Sequence, residues 1–485
     1  MRQFLTVVPL VLASTSTSAT PCRAFFCPAT TLGARGRRQR PVAWTTRFGN
    51  TSPSSKSNSP LSATAPGQFE SFDEKDSVIS ANVASSSSSQ SVEHQHASQQ
   101  RKRRPSQRRI SRVEKFARLP IWPVWQGVFL FVASRLFGQE VAAKWEDEVG
   151  GRVCPNFFEP VSTDPFVLLV HHRHAFHNWD GIRYIQRTFF PEGFPAHPHR
   201  GFITVTYCLK GGLIHRDSLG IKQSYGAEER HNGKHVQWLT AGAGIQHEEM
   251  WDVLEPDKQD QGKWLWTSSQ ELYQIWLNLP AAYKMSSPDA WLLEKHSIDP
   301  NTSSRTNPTP NSTPIVTSDD GCTITTIVCG EHDGIRTPVK CPTNAAIIRV
   351  QFNCNNSYRK SGTSATTWTH VLPSTHETAI VYVRKGSVKI DGERIPPQHT
   401  VFLSPDGDEL TIEASSNNEE AEILLLTGEP IREPISTQGS MVMNTPQEVQ
   451  RAYMDYQRGN MGMPWDHKLS DDEWREHVKQ NPSAY

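Results

Sequence analysis

The part of the chain after residue 138 consists of short runs in which apolar and polar residues alternate, with glycines and prolines between the runs. In residues 204–209, Val, Tyr and Leu alternate with Thr and Cys, which is the two-residue period of a strand that buries one face. Residues 235–240 and 274–279 have the same texture. Closely spaced strands with glycine turns predict an antiparallel barrel or sandwich over residues 139–290.

The second half of the chain repeats this pattern of short apolar runs. Asp391 and Gly392 lie between two of the runs, and this pair is typical of a type I′ hairpin turn. The runs predict a second barrel over residues 322–462, so the expected fold class is all-β, with two antiparallel barrels in tandem and a few short helices. The strands predicted in this half are 379–383, 387–390, 400–404, 410–414 and 421–427.

Polar segments separate and follow the two predicted barrels. Asn, Thr, Ser and Pro dominate residues 300–321, which are too many for a loop within a compact domain, so we predict a low-complexity linker over 291–321. Thr445 and Glu448 have the spacing of a helix capping box, with proline at the first helical position. A polar helical tail is expected over 463–485.

The first third of the chain has the composition of a targeting leader. Residues 1–20 contain an apolar run after a basic residue and then small residues, which resembles a signal peptide. Residues 21–113 are rich in Ser and Arg, and no acidic residue precedes Glu70, as in organellar transit sequences. We expect a disordered leader that directs the protein to a plastid. A basic cluster at 101–109 leaves a nuclear or cytoplasmic location as the alternative.

An aromatic, apolar stretch lies within residues 114–138. Prolines interrupt it, and its uncharged part is short for a membrane span. We expect this segment to pack against the following domain or to lie at a membrane surface.

Charge and cysteine content exclude several classes of protein. The formal net charge is zero, which argues against a bulk polyanion binder, and there is no sequence code for a specific nucleic-acid site. The eight cysteines include no Cys-x-x-Cys pair, so the chain has neither a disulfide framework nor a zinc ribbon. We expect a monomer whose partner is a small molecule or another protein.

Two pairs of potential metal ligands have the spacing of a strand. His197 and His199 are two residues apart, as are His247 and Glu249, and residues two apart on a strand face the same side. Three neutral nitrogens and a carboxylate suit Fe(II), Mn, Co, Ni, Cu or Zn, not Ca or Mg. Four protein ligands leave about two octahedral positions open for dioxygen or a chelating substrate. Surface or structural histidines are the alternative interpretation.

Long motifs around these residues resemble those of a known family. The stretch FPAHPHRGFITVTYCLKGG, residues 194–212, and the stretch VQWLTAGAGIQHEEM, residues 236–250, resemble the two cupin motifs of the pirin family. Residues 424–462 resemble the C-terminal end of that family. The resemblance implies two cupin (jelly-roll) barrels, with iron in the first. The iron ligands of pirins fall on His197, His199, His247 and Glu249.

The second barrel has no His-x-His or His-x-Glu pair, so we expect no metal there. Pirins are similar to quercetin 2,3-dioxygenases, which implies an Fe(II) enzyme, or one with another divalent transition metal, that opens a flavonol or other phenolic compound. Glu249 would then be both ligand and catalytic base. Animal pirins resemble iron-dependent redox sensors that assist transcription factors, so a redox-sensing binding protein without turnover is the alternative. A metal-stabilised scaffold is the third possibility.

Overall fold

The computed structural model describes residues 106–115, 124–138, 152–253, 267–298, 311–353, 365–415 and 420–485, with four further positions between 141 and 149. Strands make up most of the regular structure of these residues, which confirms the all-β class with a few short helices. The predicted signal-like segment, 1–20, and residues 21–105 of the predicted leader lie outside the described residues.

The regular elements are listed here in chain order. Strand β1 covers Ile110–Lys115. The strands of the first half are β2 (Arg152–Phe157), β3 (Phe166–His177), β4 (Gly193–His199), β5 (Phe202–Lys210), β6 (Gly212–Asp217), β7 (Lys222–Gly226), β8 (Lys234–Thr240), β9 (Ile245–Trp251), β10 (Thr267–Asn278) and β11 (Asp289–Ile298). The strands of the second half are β12 (Ser312–Thr317), β13 (Thr323–Cys329), β14 (Glu331–His332), β15 (Ile335–Arg336), β16 (Ala345–Phe352), β17 (Ala365–Val371), β18 (Thr378–Lys385), β19 (Val388–Ile390), β20 (Glu393–Ile395), β21 (His399–Leu403), β22 (Glu409–Ser415) and β23 (Ala421–Gly428). The C-terminal strands are β24 (Ser436–Gln438) and β25 (Met441–Met443). The α-helices are α1 (Val124–Phe137), α2 (Pro160–Thr163), α3 (Gly181–Arg187), α4 (Pro446–Gln457) and α5 (Asp471–Gln480).

The two halves share one architecture, a stack of two sheets. Within the described ranges, a thirteen-stranded sheet runs through both halves in the order β1-β21-β18-β23-β16-β13-β12-β11-β8-β5-β10-β3-β2. Each half adds a four-stranded sheet, β4-β9-β6-β7 in the first and β17-β22-β19-β20 in the second. In the second half, Val381 of the large sheet packs with Ile390 and Ile412 of the small sheet. A smaller cluster, which contains Leu272 and Tyr225, joins the layers of the first half.

The other face of the large sheet forms a core that both halves share. Ile380 and Tyr382 of β18 belong to this core together with Val205 and Ile275 of the first half. Val381 points the opposite way, into the core of the second half. Both faces of β18 are therefore buried, which explains why its sequence is a continuous apolar run instead of an alternating one.

The junction between the halves is made of strands. Residues 291–321, predicted as a linker, contain most of β11 and all of β12, while residues 299–310 are not described. Strand β11 pairs antiparallel with β8 and parallel with β12, so the large sheet continues across the junction. The sequence did not predict β12 because its composition is polar. Thr313 of this strand is nevertheless buried, and its hydroxyl lies 2.6 Å from His235 Nε2 and 3.2 Å from the Glu294 carbonyl.

Residues 106–115, predicted to fall at the end of the leader and the start of the aromatic segment, fold into the second half. Strand β1 pairs antiparallel with β21, and Ile110 and Val113 pack against the core of that half. Arg108, part of the basic cluster seen in the sequence, is buried. Its guanidinium donates hydrogen bonds to the carbonyl groups of His376, Glu377 and Gly407. This arginine therefore has a structural role.

Helix α1 occupies most of the predicted aromatic segment and packs on the first half. Gln126 is buried, and its Nε2 donates to the Ala175 carbonyl at 2.6 Å. Leu130 and Ala133 are buried on the same face of the helix, at the spacing of an amphipathic contact. This contact agrees with the expected packing against the following domain. In the part of the chain that the structure describes, no helix is both long and apolar enough to cross a bilayer.

The chain after β23 returns to the first half and packs against it. Helices α4 and α5 both begin with capping boxes, and the first of these is the predicted one at Thr445. Arg200, next to the His-Pro-His segment, pairs with Asp455 of α4 at 2.8 Å. Arg216 of β6 donates to the Leu469 carbonyl at 2.8 Å. We call residues 429–485 the C-terminal arm. The arm begins within the second predicted barrel, 322–462, but packs on the first half.

Arg108→Met tests the place of β1 in the fold. The substitution leaves three carbonyl groups without their charged donor, so we expect the free energy of unfolding to fall by about 2 kcal/mol. Urea unfolding followed by fluorescence measures this change. Arg109→Met, at the exposed neighbouring position, is the matched control and should unfold like the wild type. Equal free energies of unfolding for the two variants would show that the hydrogen bonds of Arg108 do not stabilise the protein.

Candidate metal centre

Three histidines converge where β4 and β9 pair. The two strands are antiparallel, and His197 lies directly opposite His247. The ring centroids of His197, His199 and His247 are 4.5 to 4.8 Å apart. One nitrogen from each ring lies within 4.8 Å of the others, as a shared metal ion requires. The structure thus brings together three of the four predicted ligands.

A register shift in β4 sets the direction of these side chains. Phe194 pairs with Glu249 and His197 pairs with His247, so three steps on β4 match two steps on β9. Such a bulge re-aims the side chains that follow it. His197 Nδ1 then lies 2.8 Å from the Pro195 carbonyl. Because a carbonyl only accepts, Nδ1 carries the proton and Nε2 is the nitrogen available to a metal.

A second hydrogen-bonded chain orients His247. His215 of β6 lies 2.9 Å from Asp217 through Nε2 and 3.4 Å from His247 Nδ1 through Nδ1. The Asp217 carboxylate accepts the Nε2 proton, so His215 Nδ1 can accept the proton of His247 Nδ1. This arrangement leaves His247 Nε2 for a metal, in the manner of the outer partners of metal-bound imidazoles.

Burial favours the neutral form of all three rings, and His199 and His247 keep nitrogens that protein groups do not satisfy. Burial lowers the pKa of His197, and burial together with neighbouring imidazoles places those of His199 and His247 well below the ordinary value. Among the described residues, no hydrogen bond of normal geometry reaches His247 Nε2 or either nitrogen of His199. Buried nitrogens normally have partners, so a bound divalent transition metal fits these rings.

Glu249, the fourth predicted ligand, lies beside the histidines but is held by other groups. Its Oε1 accepts hydrogen bonds from Thr206 at 3.1 Å and Tyr225 at 3.0 Å, and its Oε2 accepts one from Gln274 at 3.0 Å. The carboxylate stands outside the group of three convergent ligands, yet its charge acts to raise the pKa of His197. A buried acceptor thus lies next to the triad.

Aromatic side chains form a wall at the triad. The His199 ring lies 5.2 Å from Phe202 and 5.5 Å from Trp276, centroid to centroid. Phe202 and Trp276 themselves contact at 4.5 Å. The indole N–H of Trp276 has no hydrogen-bond partner in the described part of the chain. A flat aromatic ligand with a polar edge matches this surface.

The histidines of the second half are arranged differently. His370 pairs with His332, with their Nδ1 atoms 3.0 Å apart. His376 bonds to Thr427 and Asn344. Across the described ranges, the triad is the one group of three or more His, Cys, Asp or Glu side chains whose ligand atoms lie close enough to share a metal ion.

Sequence reasoning missed the residues that support the site. His215 and Asp217 are two residues apart on a strand, which is the spacing that identified the ligand pairs, but only the fold shows that they face His247. Thr206, Tyr225 and Gln274 come from three different strands and have no common sequence signal. Their shared contact with Glu249 arises from stacking the two sheets.

Family models match both halves of the chain. The model described as Pirin matches residues 151–277, and the model described as Pirin C-terminal cupin domain matches residues 363–462. The first match contains the triad and Glu249. The second includes much of the second half and the arm as far as the end of α4 and the following turn.

Individual relatives cover most of the described chain. Pirin-1 of Arabidopsis thaliana is 30% identical over 335 residues, which are 68% of this chain and 95% of that protein. Pirin of Homo sapiens is 30% identical over 344 residues, covering 69% and 93%. A solved quercetin 2,3-dioxygenase from Acinetobacter baumannii has the same fold, with a TM-score of 0.51 at 22% identity, covering 74% of this chain and 99% of that one. By these matches, and by the cupin motifs that supply its histidine triad, the chain belongs to the pirin family.

Proposed function

We propose that this protein is a mononuclear non-haem iron dioxygenase of the quercetin 2,3-dioxygenase type, acting on a flavonol or another phenolic compound. The observation that carries the proposal is the imidazole triad beside a buried carboxylate. His199 and His247 are buried and have nitrogens without hydrogen bonds to described residues, and His197 is half-buried. The fold shared with a quercetin 2,3-dioxygenase supports the same reaction class. Bound Fe(II) would supply activation of dioxygen and acidification of a coordinating phenol.

His197, His199 and His247 would hold the iron. Hydrogen bonds with Pro195 and His215 fix which nitrogen of His197 and of His247 faces it, so these two ligands are oriented before the metal arrives. With these ligands, the metal would keep coordination positions for a substrate, which a structural metal with a complete protein shell would lack.

Glu249 is proposed as fourth ligand and as the base that takes the phenolic proton. Its three hydrogen-bond partners all donate, which suits an acceptor-only carboxylate. Their side chains come from the neighbouring strands β5, β7 and β10 and hold the carboxylate beside His197. A base fixed in place within reach of the substrate proton is the usual requirement for general base catalysis. The wall of Phe202 and Trp276 would stack on the substrate ring.

A second candidate function is iron-dependent redox sensing through a protein partner. Ile182 and Ile185 of α3, and Phe189 shortly after it, are exposed, and this segment leads directly into β4. Exposed apolar side chains in one segment indicate a contact surface. The triad residues His197 and His199 lie on β4, so a change in the charge of bound iron would act on the strand that directly follows this exposed segment.

His199→Ala tests the site and the reaction together. We expect the wild type, loaded anaerobically with Fe(II), to bind one iron per chain and to consume one O2 per quercetin opened. The variant should lose tight iron and dioxygen uptake, because only two imidazoles and one carboxylate then remain to hold the ion. An oxygen electrode and metal analysis give both values.

The matched control is His370→Ala, which removes another buried histidine and should keep iron and activity. One tightly bound iron per chain without oxygen uptake on flavonols or simpler phenols would overturn the dioxygenase proposal and favour redox sensing. Iron loss in both variants would mean that the triad is not the specific site.

Glu249→Gln separates the base from the metal ligands. The substitution keeps the shape but removes the proton acceptor, so we expect turnover to fall by about 10²- to 10⁴-fold. Iron affinity should fall much less, by about tenfold, because the three imidazoles remain. Steady-state oxygen uptake and iron titration measure the two effects. Glu248→Gln, whose carboxylate pairs with Arg216 on the other side of β9, is the control and should stay active. Equal losses in both variants would contradict the role of Glu249.

The lowered pKa values of the triad predict metal binding that resists acid. Three histidines with the ordinary pKa near 6.5 would lose metal affinity by about 50-fold between pH 7.5 and pH 6.0, because protonation competes with the metal. Protonation competes less here, since the pKa values of all three rings lie below the ordinary value. We therefore expect the Ni(II) affinity measured by calorimetry to fall by much less than about 50-fold over this interval. A steep loss near pH 6.5 would show that the rings are open to water.

A further inference from the structure

Two cysteines of the second half contact each other through their thiols. Cys329 ends β13, and Cys341 lies in the segment between β15 and β16. Cys341 packs against the apolar core that contains Cys329, and the two thiols share a hydrogen bond. Both cysteines are free. Adjacent thiols can form a disulfide when an oxidant reaches them.

The hairpin between the two cysteines brings them together. Strands β14 and β15 pair, so the chain reverses after Cys329. The Thr337 N–H donates to the Gly330 carbonyl at 2.9 Å and closes the turn. Gly330 has a φ of 88°, and a Cβ there would come 2.5 Å from the Ala346 Cβ. Only glycine fits this close approach, so the backbone itself sets the position of the thiols.

The two thiols differ in their access to solvent. Cys329 is 3% exposed, whereas Cys341 is half-buried. Residues 336–342, which include Cys341, form a surface cavity of about 530 Å³. A cavity of this size admits a small molecule. A small oxidant can therefore reach Cys341 first, while Cys329 lies behind it in the core.

The contact also divides the chemical roles of the two sulfurs. The hydrogen bond from the Cys329 thiol lowers the pKa of Cys341, and the Thr343 N–H acts in the same direction. The same contact, together with burial, raises the pKa of Cys329 well above its ordinary value. The thiolate is the form of cysteine that attacks a disulfide, so Cys341 is the better nucleophile.

We propose that Cys341 and Cys329 form a reversible redox site that reacts with a small disulfide. The Cys341 thiolate attacks one sulfur of the small disulfide, whose S–S bond breaks, and one thiolate leaves. Cys329 then loses its proton to water and attacks the Cys341 sulfur in the mixed disulfide, which releases the second thiolate. The protein loses two electrons and the small disulfide gains them, and the released thiolates take up protons from solvent. Excess small thiol reverses both steps.

The new bond would hold the segment after β15 in place. Thr343 of this segment donates from its hydroxyl to the Asn278 carbonyl of β10 at 2.7 Å, so the segment contacts the first half. A disulfide between residues twelve apart in the chain restricts the unfolded state. We expect the oxidised protein to melt about 3 °C higher than the reduced protein.

The experiment equilibrates the full chain, with its metal bound and under argon, in mixtures of reduced and oxidised glutathione. After an acid quench, free thiols are alkylated and tryptic peptides are analysed by mass spectrometry. Trypsin cuts after Arg336 and Lys340, so a linked pair of peptides reports the bond between Cys329 and Cys341. We expect this pair to appear in oxidised glutathione and to disappear in reduced glutathione. Analysis by peptide separates these thiols from those near the start of the chain.

Three variants assign the roles of the thiols. Cys329→Ala should stop at a mixed disulfide between Cys341 and glutathione, because the second thiol is missing. Cys341→Ala should form neither the linked peptides nor a mixed disulfide at Cys329, which is buried. Cys322→Ala, which removes another buried free thiol of the second half, is the matched control and should behave like the wild type.

Three outcomes would overturn the proposal. The first is that both thiols of the wild type stay free in oxidised glutathione. The second is a mixed disulfide that forms at Cys329 in Cys341→Ala but not at Cys341 in Cys329→Ala, which would reverse the roles. The third is equal melting temperatures of the reduced and oxidised wild type, which would mean that the bond does not hold the segment. The His199→Ala variant keeps both cysteines and should still form the bond, so failure of the iron proposal and failure of this one are distinguishable.

Discussion

The antiparallel register between β4 and β9 is the constraint on which the candidate site depends. It sets His197 opposite His247, and the bulge between Phe194 and His197 decides which side chains face inward. A slip of one residue would turn every side chain of β4 to the other face of the sheet. The C-terminal arm secures this register through hydrogen bonds to the end of β4. The Arg200 N–H donates to the Ser440 carbonyl, and the Ser440 hydroxyl donates to the Pro198 carbonyl of β4. The end of the chain therefore stabilises the ligands of its first half.

The triad destabilises the fold when no metal is bound. Buried imidazole nitrogens without partners lose their hydration, and each such group destabilises the fold by about 1–3 kcal/mol. A bound divalent ion would offset this loss, so metal binding and stability should be linked. The Asp217–His215 pair supports His247 from behind and needs no metal to be satisfied. The outer partners of His247 are thus in place before a metal binds. The imidazole nitrogens that lack hydrogen bonds to described residues are the ones that would bind the ion.

The halves form one body because three kinds of contact connect them. An apolar core contains side chains of both, the parallel pair β11–β12 continues the large sheet, and Arg384 joins Glu271 across the boundary. The apolar contact supplies most of the stability, since burial of apolar surface is the dominant favourable term. The ion pairs give the boundary a fixed geometry.

The sequence by itself determined the fold class, the family and the three histidines. Strand period, glycine turns and His-x-His spacing are local properties, so they can be read without knowledge of the fold. The boundaries at β1 and β12 were missed because these short strands are polar in composition and owe their structure to the sheets they join. Only the tertiary structure decided that Arg108 is a structural residue and that Glu249 is held by Thr206, Tyr225 and Gln274. These contacts join residues far apart in the chain, and no local pattern specifies which distant strands become neighbours.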